Sequence, residues 1–252
     1  MILMTELRVL IAAAGNGTRA GLPYPKTLHP VLGKPILVRL IDLLQAYDAL
    51  PVIIVSPQGR GQISNCLEAF ALDAELVEQP TPSGMGDAIL QFQQSSGWGS
   101  AKHLLTVWGD IPLLEAQTVA ALHARHFEAS NDFTFATRVV DQAYTIVERD
   151  CADRVQAVRE TRELQVEPAS GERDIGLFLF RIDPVFGLLE QRLPGAIGEA
   201  TGEHGFLHLV ERLVKRGFKV EALPIATECD LVSLNRLSDL DAVRSVRDGS
   251  ED

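Results

Sequence analysis

The 252-residue chain carries 23 Lys and Arg against 34 Asp and Glu, a formal net charge of -11, with 46% hydrophobic and 23% charged residues. That balance is typical of a folded globular protein and excludes disordered and fibrous classes. The acidic surplus argues against nucleic acid and anionic membrane surfaces as partners, since both reward a basic face. The start, MILMTELRVL, lacks a basic region followed by a long apolar core, and no stretch is long enough to span a bilayer, so a cytoplasmic protein is expected. Cys66, Cys151 and Cys229 stand far apart and in no CxxC arrangement, which reads as reduced thiols rather than a disulfide framework or a zinc ribbon.

In chain order, residues 7–14 are apolar or small and end abruptly at Gly15 and Gly17, the pattern of a buried strand running into a turn. GKPILVRLIDLLQAY then places Ile36, Leu37, Leu40, Ile41 and Leu44 on one helical face, with Pro35 suited to the first turn. PVIIVS (51–56) is a second strand, GQISNCLEAFAL (61–72) a helix and AELVEQ (74–79) a third strand; MGDAILQFQQS (85–95) is helical. HLLTVWGD (103–110) is a strand ending in an acid, and AQTVAALHARHFEAS (116–130) a further helix. From residue 132 the texture changes to short strands between polar turns, in DFTFATRVV, YTIVERD, RVQAVRE and DIGLFLFRI. GFLHLVERLVKRG (205–217) reads as a helix, KVEALPI (219–225) as a strand and SLNRLSDLDAVRSVRD (233–248) as a closing helix. The expected fold is α/β: a Rossmann-like three-layer sandwich with a mostly parallel mixed sheet and a small antiparallel extension. One domain spans 1–252, with a nucleotide-binding half at 7–131, an acceptor-binding half at 132–246 and a frayed tail at 247–252.

Gly15-Asn16-Gly17-Thr18-Arg19-Ala20 fits the dinucleotide pattern G-x-G-x-x-G/A, yet Gly21, Pro23 and Pro25 interrupt the helix that should follow. No acid ends the second strand to hold a ribose, and no Gly-Lys-Ser/Thr completes a P-loop. What is left is a longer loop whose amides can approach phosphate oxygens, with Arg19 and Lys26 as cations, a combination suited to a triphosphate; the bland alternative is a solvated surface turn. Asp110 lies just past the end of a buried strand, where open α/β sheets bind ligands, and can hold Mg²⁺; its bland alternative is a cap on the turn before Pro112. His204 with His208, and His123 with His126, lack a third ligand at a metal-binding interval and are given no role.

Together, AAGNGTR, Pro25-Lys26, GKPILVRLID, QPTPSGMGDA and WGDIPLL, in this order, resemble the sugar-nucleotide pyrophosphorylases of the nucleotidyltransferase superfamily. The closest likeness is to the uridylyltransferase domain of bifunctional N-acetylglucosamine-1-phosphate uridylyltransferases, without the acetyltransferase repeats. The resemblance implies that Ala13, Ala14, Gly15, Gly17, Thr18 and Arg19 embrace the nucleotide and its triphosphate, with Lys26 at the α-phosphate. It further implies that Gln79 and Gly84 read the base, that Asp110 and Asn235 hold Mg²⁺, and that Trp108, Glu160 and Asp174 face the acceptor. The implied reaction joins a nucleoside triphosphate, UTP, to a sugar 1-phosphate and releases pyrophosphate. Departures from the pattern stand at Ala12, Asn16, Met85, Thr145 and Asp174. They keep open a noncatalytic nucleotide or sugar-nucleotide sensor, and CMP or GMP transfer to a non-sugar acceptor stands as a second enzyme reading. The oligomeric state is not legible.

Overall fold

The computed structural model describes residues 6–15, 17 and 21–240. β1 (Leu7–Ala12) leads through a two-residue hairpin, β2 (Pro30–Val31) and β3 (Lys34–Pro35), into α1 (Ile36–Leu44); the hairpin turns on Leu32 and Gly33, both at positive φ. β4 (Val52–Val55), α2 (Arg60–Ala69), β5 (Glu75–Glu78), α3 (Met85–Leu90), β6 (His103–Trp108) and α4 (Ala116–Glu128) continue the alternation expected from the sequence. The second half contains β7 (Phe133–Ala143), the hairpin β8 (Thr145–Arg149) and β9 (Val155–Glu160), α5 (Thr161–Leu164), β10 (Ala169–Arg181), α6 (Ile182–Glu190), α7 (Leu209–Lys215) and β11 (Val220–Leu223).

Seven strands form one sheet in the order β11-β7-β10-β6-β1-β4-β5. β1 pairs in parallel with β4 and β6, β4 with β5, and β7 with β11; β10 alone runs antiparallel to its neighbours β6 and β7. β8 and β9 form the separate antiparallel extension. Central strands covered on both faces must be apolar throughout, and β1 shows why: Val9 and Ile11 join α1, α2 and α4 in one core, while Leu10 joins α3, α6 and α7 in the other. All three are fully buried. The second core is dominated by Phe133, Phe135, Phe178, Phe180 and Phe206, with Phe133 stacked on Phe180 at 5.6 Å and Phe206 set edge-on to Phe178 at 5.2 Å. Each such ring contributes roughly 1.5–3 kcal/mol through burial.

Beyond the unforeseen β2–β3 hairpin and the short α5, three elements differ from the sequence-based expectation. The helix expected at 205–217 covers only Leu209–Lys215, because the preceding backbone is used elsewhere: Gly86 N–H donates to the His204 carbonyl (2.9 Å), and His204 N–H to that of Ser83 (2.6 Å). The closing segment has a single 3₁₀ turn at Leu237–Leu240; residues 241–248 and the expected tail lie outside the described residues. α6 was not foreseen, although Ile182, Val185, Phe186, Leu188 and Leu189 fall on one buried face and Pro184 sits in the first turn, where its missing N–H costs nothing.

Two features of this scaffold lead to measurable effects. Gly176 has φ +80°, and a Cβ there would lie 2.7 Å from the Trp108 ring. Gly176→Ala should therefore destabilise the fold by about 2–4 kcal/mol, combining left-handed strain with overpacking, and an unchanged denaturation midpoint would contradict this packing. The second is a buried polar chain under α4: His103 Nδ1 meets His126 Nε2 at 2.9 Å, and His126 Nδ1 meets the Thr134 hydroxyl at 2.9 Å. Burial, with His103 and His123 close by, lowers the His126 pKa from 6.5 to about 3. The unfolded chain then binds protons that the native state refuses, so stability is complete above pH 6.5 and declines as pH falls below it. Thermal midpoints should drop between pH 6.5 and about pH 5, and His126→Gln should flatten that slope; a parallel slope in the variant would assign the effect elsewhere.

Candidate active site

The strand order reverses between β1 and β6: the chain builds β4 and β5 on one side of β1 and then places β6 on the other. Such a switch point opens a crevice at the carboxyl ends of the strands. The six-residue register from Leu7↔His103 to Ala12↔Trp108 makes both chains leave the sheet at the same edge, where Gly109 N–H donates to the Ala12 carbonyl at 2.9 Å. Gly15 follows one strand and Asp110 the other, and both line a cleft of about 440 Å³.

At its floor the Lys26 ammonium donates to Asp110 Oδ2. Lys26 opens a 3₁₀ turn after Pro25, and its stem passes beneath Gly15, where a Cβ would come within 3.2 Å of Lys26 Cε. Asp110 is 7% exposed, and its Oδ1 is buried with no hydrogen-bond partner among the described residues. The Asp110 carbonyl accepts from Leu234 N–H (2.8 Å), which brings Ser233 and Asn235 to the same cleft. Asn235 is held by its N–H to Asp239 Oδ2 (2.8 Å), and its Nδ2 donates to the Ser233 hydroxyl (3.1 Å), leaving Oδ1 as the electron-pair donor. An orphaned carboxylate oxygen and an amide oxygen lining one cleft suit a hard divalent cation, which takes oxygen ligands and completes its shell with water and substrate phosphate. Among the described residues no group of three or more His, Cys, Asp or Glu offers a rival metal site.

At one end Gln79 is 4% exposed and donates through Nε2 to the Gly84 carbonyl at 3.0 Å, shaping the turn that precedes α3. Gly84 has φ +109°, and a Cβ there would collide with the His204 carbonyl. The same turn is anchored by Asp87, whose Oδ1 meets His204 Nδ1 at 3.0 Å and the Arg192 guanidinium. Burial raises the Asp87 pKa, but hydrogen bonds from Ser83 and His204 and the Arg192 charge outweigh it and hold the carboxyl below its usual range.

At the other end Glu160 accepts from Arg162 Nε (2.8 Å), and Arg162 Nη1 lies 3.4 Å from Glu203. Burial pushes the Glu160 pKa up, against the pull of Arg162. Tyr144 forms a wall beneath the Arg173 guanidinium, 4.1 Å above its ring, and burial pushes its pKa up to about 12. Trp108 and Phe206 complete this side.

Ala14, Gly15, Lys26, Gln79, Gly84, Trp108, Asp110, Glu160 and Asn235 thus share one cleft. Ala13 sits in the core behind it, its N–H donating to Ile54 at 2.8 Å. Gly17 has φ +69°, with Tyr24 O 2.8 Å from where a Cβ would stand. Thr18 and Arg19 lie outside the described residues. Asp174 is not on the cleft surface: it is fully buried, accepting from the Thr145 hydroxyl (2.6 Å) and Gly176 N–H (2.9 Å). Tyr144, Arg162, Glu203 and Phe206 were missed, since nothing local in the sequence marks them as cleft residues.

Residues 9–173 match the model of the MobA-like NTP transferase domain. The chain is similar to the bifunctional protein GlmU of Leifsonia xyli subsp. xyli, 28% identical over 88% of this chain and 46% of that one. It is also similar to GlmU of Pelotomaculum thermopropionicum, 30% identical over 91% and 50%. It spans about half the length of these curated relatives. A Bacillus anthracis crystal structure described as a glucose-1-phosphate thymidylyltransferase, in complex with a sucrose, superposes with a TM-score of 0.75 at 17% identity, covering 95% of this chain and 94% of that one, and shares its fold. No helix among the described residues is long and apolar enough to cross a membrane. With two thirds of its length under that family model and the strand-end cleft in place, the chain belongs to the MobA-like NTP transferase domain family.

Proposed function

We propose that the protein transfers the nucleoside monophosphate of a nucleoside triphosphate, UTP, to the phosphate of a sugar 1-phosphate, releasing pyrophosphate, with Mg²⁺ held at Asp110 and Asn235. The observation that carries this reading is the Lys26–Asp110 pair at the strand ends, with Asp110 Oδ1 unpaired among the described residues. In this reading Gln79 and Gly84 stand on the nucleotide side and Trp108, Tyr144, Glu160 and Phe206 on the acceptor side of the same cleft. The choice of UTP and a sugar 1-phosphate rests on the motif resemblance.

The chemistry brings two anions together, so the main requirement is charge compensation and alignment. An acceptor phosphate is already ionised near neutral pH and needs no general base. Lys26 supplies a fixed cation on the triphosphate side of the cleft, and the Gly15 loop lets backbone amides approach phosphate oxygens. When bound, Mg²⁺ would neutralise phosphate charge and align the oxygens. Trp108, Tyr144 and Phe206 exclude water from the acceptor side.

Pyrophosphate release should be measured across a matrix of nucleoside triphosphates and phosphorylated acceptors, non-sugar acceptors included. Turnover is expected with UTP and a sugar 1-phosphate; absence of release from every pair would overturn the enzyme reading. Chelation should abolish turnover and added Mg²⁺ restore it. Asp110→Asn and Lys26→Met should each cost on the order of a hundredfold in kcat, about 3 kcal/mol. Either change leaves an uncompensated partner, so thermal midpoints are recorded alongside. Wild-type turnover in a folded Asp110→Asn variant is the result that would remove the metal from the scheme.

A further inference from the structure

The acceptor end of the cleft has a one-sided hydrogen-bonding character. Thr145 and Glu160 are directly paired across the β8–β9 ladder, so their side chains share a face. Among the charged groups lining this end, the carboxylates of Glu160 and Glu203 outnumber the single guanidinium of Arg162 by one, while Arg173 and Asp174 behind them oppose one another. The Thr145 hydroxyl spends its only hydrogen on Asp174 Oδ1 at 2.6 Å, so toward the cleft its oxygen can only accept. In its ionised form Asp174 cannot reverse this, because its other oxygen accepts from Gly176 N–H at 2.9 Å and a carboxylate has no hydrogen to give. Burial holds the Asp174 pKa above its ordinary value, outweighing the Thr145 hydroxyl, the Arg173 charge and the Gly176 amide, so this arrangement belongs to the pH range above that raised value.

We propose, building on the function proposed above, that this end recognises a protonated amine on the phosphorylated acceptor, and that Asp174 is the positioning residue that sets this preference by holding Thr145 as a hydrogen-bond acceptor. An ammonium group offers three donors to Thr145 Oγ1, Glu160 and Glu203 and cancels the surplus charge, with Trp108 and Phe206 providing aromatic faces on the same cleft. An acyl group on the same nitrogen removes the charge and brings a carbonyl oxygen among oxygens that already lack donors. Replacing Asp174 by Asn inverts the arrangement. The one amide oxygen is needed by Gly176 N–H, so the NH₂ group faces Thr145, whose hydroxyl then accepts there and turns its hydrogen to the cleft.

The test is calorimetric binding of glucosamine 1-phosphate and N-acetylglucosamine 1-phosphate to the wild-type chain, Asp174→Asn and Thr145→Val, with folding checked by circular dichroism. The wild type should bind the amine at least about tenfold more tightly, and Asp174→Asn should reduce that ratio by about tenfold. Equal or tighter binding of the acetylated compound, failure of both to bind, or an unchanged ratio in folded Asp174→Asn would each overturn the proposal. Should Asp174→Asn not fold, Thr145→Val decides: a diminished ratio supports the proposal and an unaltered one overturns it. Pyrophosphate release with UTP is assayed separately; selective amine binding with no release would sink the proposed reaction while leaving this inference standing.

Discussion

The ion pair between Lys26 and Asp110 is the contact on which the arrangement of this molecule turns. The Asp110 carboxylate is buried and the Lys26 ammonium half-buried, so removing either one leaves the other with less compensation. Asp110 is placed by β6, while Lys26 arrives from the turn after Pro25; their meeting fixes that turn at the strand ends. The Asp110 backbone fastens a third segment through Leu234, so Asn235 owes its position to the same residue. One aspartate thereby organises three stretches of chain that are remote in sequence.

The rest of the cleft depends on the single antiparallel strand. β10 lies against β6 and carries Gly176, whose missing side chain lets the Trp108 ring settle on the sheet. Two residues away, Asp174 turns inward to Thr145, so the same strand supports the aromatic wall and the polar floor of the acceptor side. Phe206 bridges core and cleft, packing edge-on against Phe178 while lining the cavity. Hydrophobic packing and ligand-facing surface are not separable here.

What could be read from the sequence follows the range of the interactions. β1, β4 and β6 were legible because parallel strands buried on both faces appear as unbroken apolar runs, and Gly15 and Asp110 because they end such runs. The pairing of Thr145 with Asp174 was not legible: the residues are 29 positions apart and meet only after a hairpin and a bulged strand intervene. Arg162 and Glu203 were hidden for the same reason, as each looks like an ordinary exposed charge until the chain folds. Local periodicity overstated the helix at 205–217, since the backbone of His204 is used to pair with the turn around Ser83 and Gly86. Lys26 and Asp110 were both singled out, but as separate agents; that they bind one another required the fold.

The docking of His204 on Ser83 and Gly86 joins the two ends of the cleft by main-chain hydrogen bonds, with Gly84 and Gly86 leaving no room for side chains between the two segments. The turn proposed to read the base and the wall proposed to face the acceptor are therefore fastened to one another. Any engineering that reshapes one substrate's berth will be felt by the other, so altered specificity for nucleotide and acceptor would have to be selected jointly.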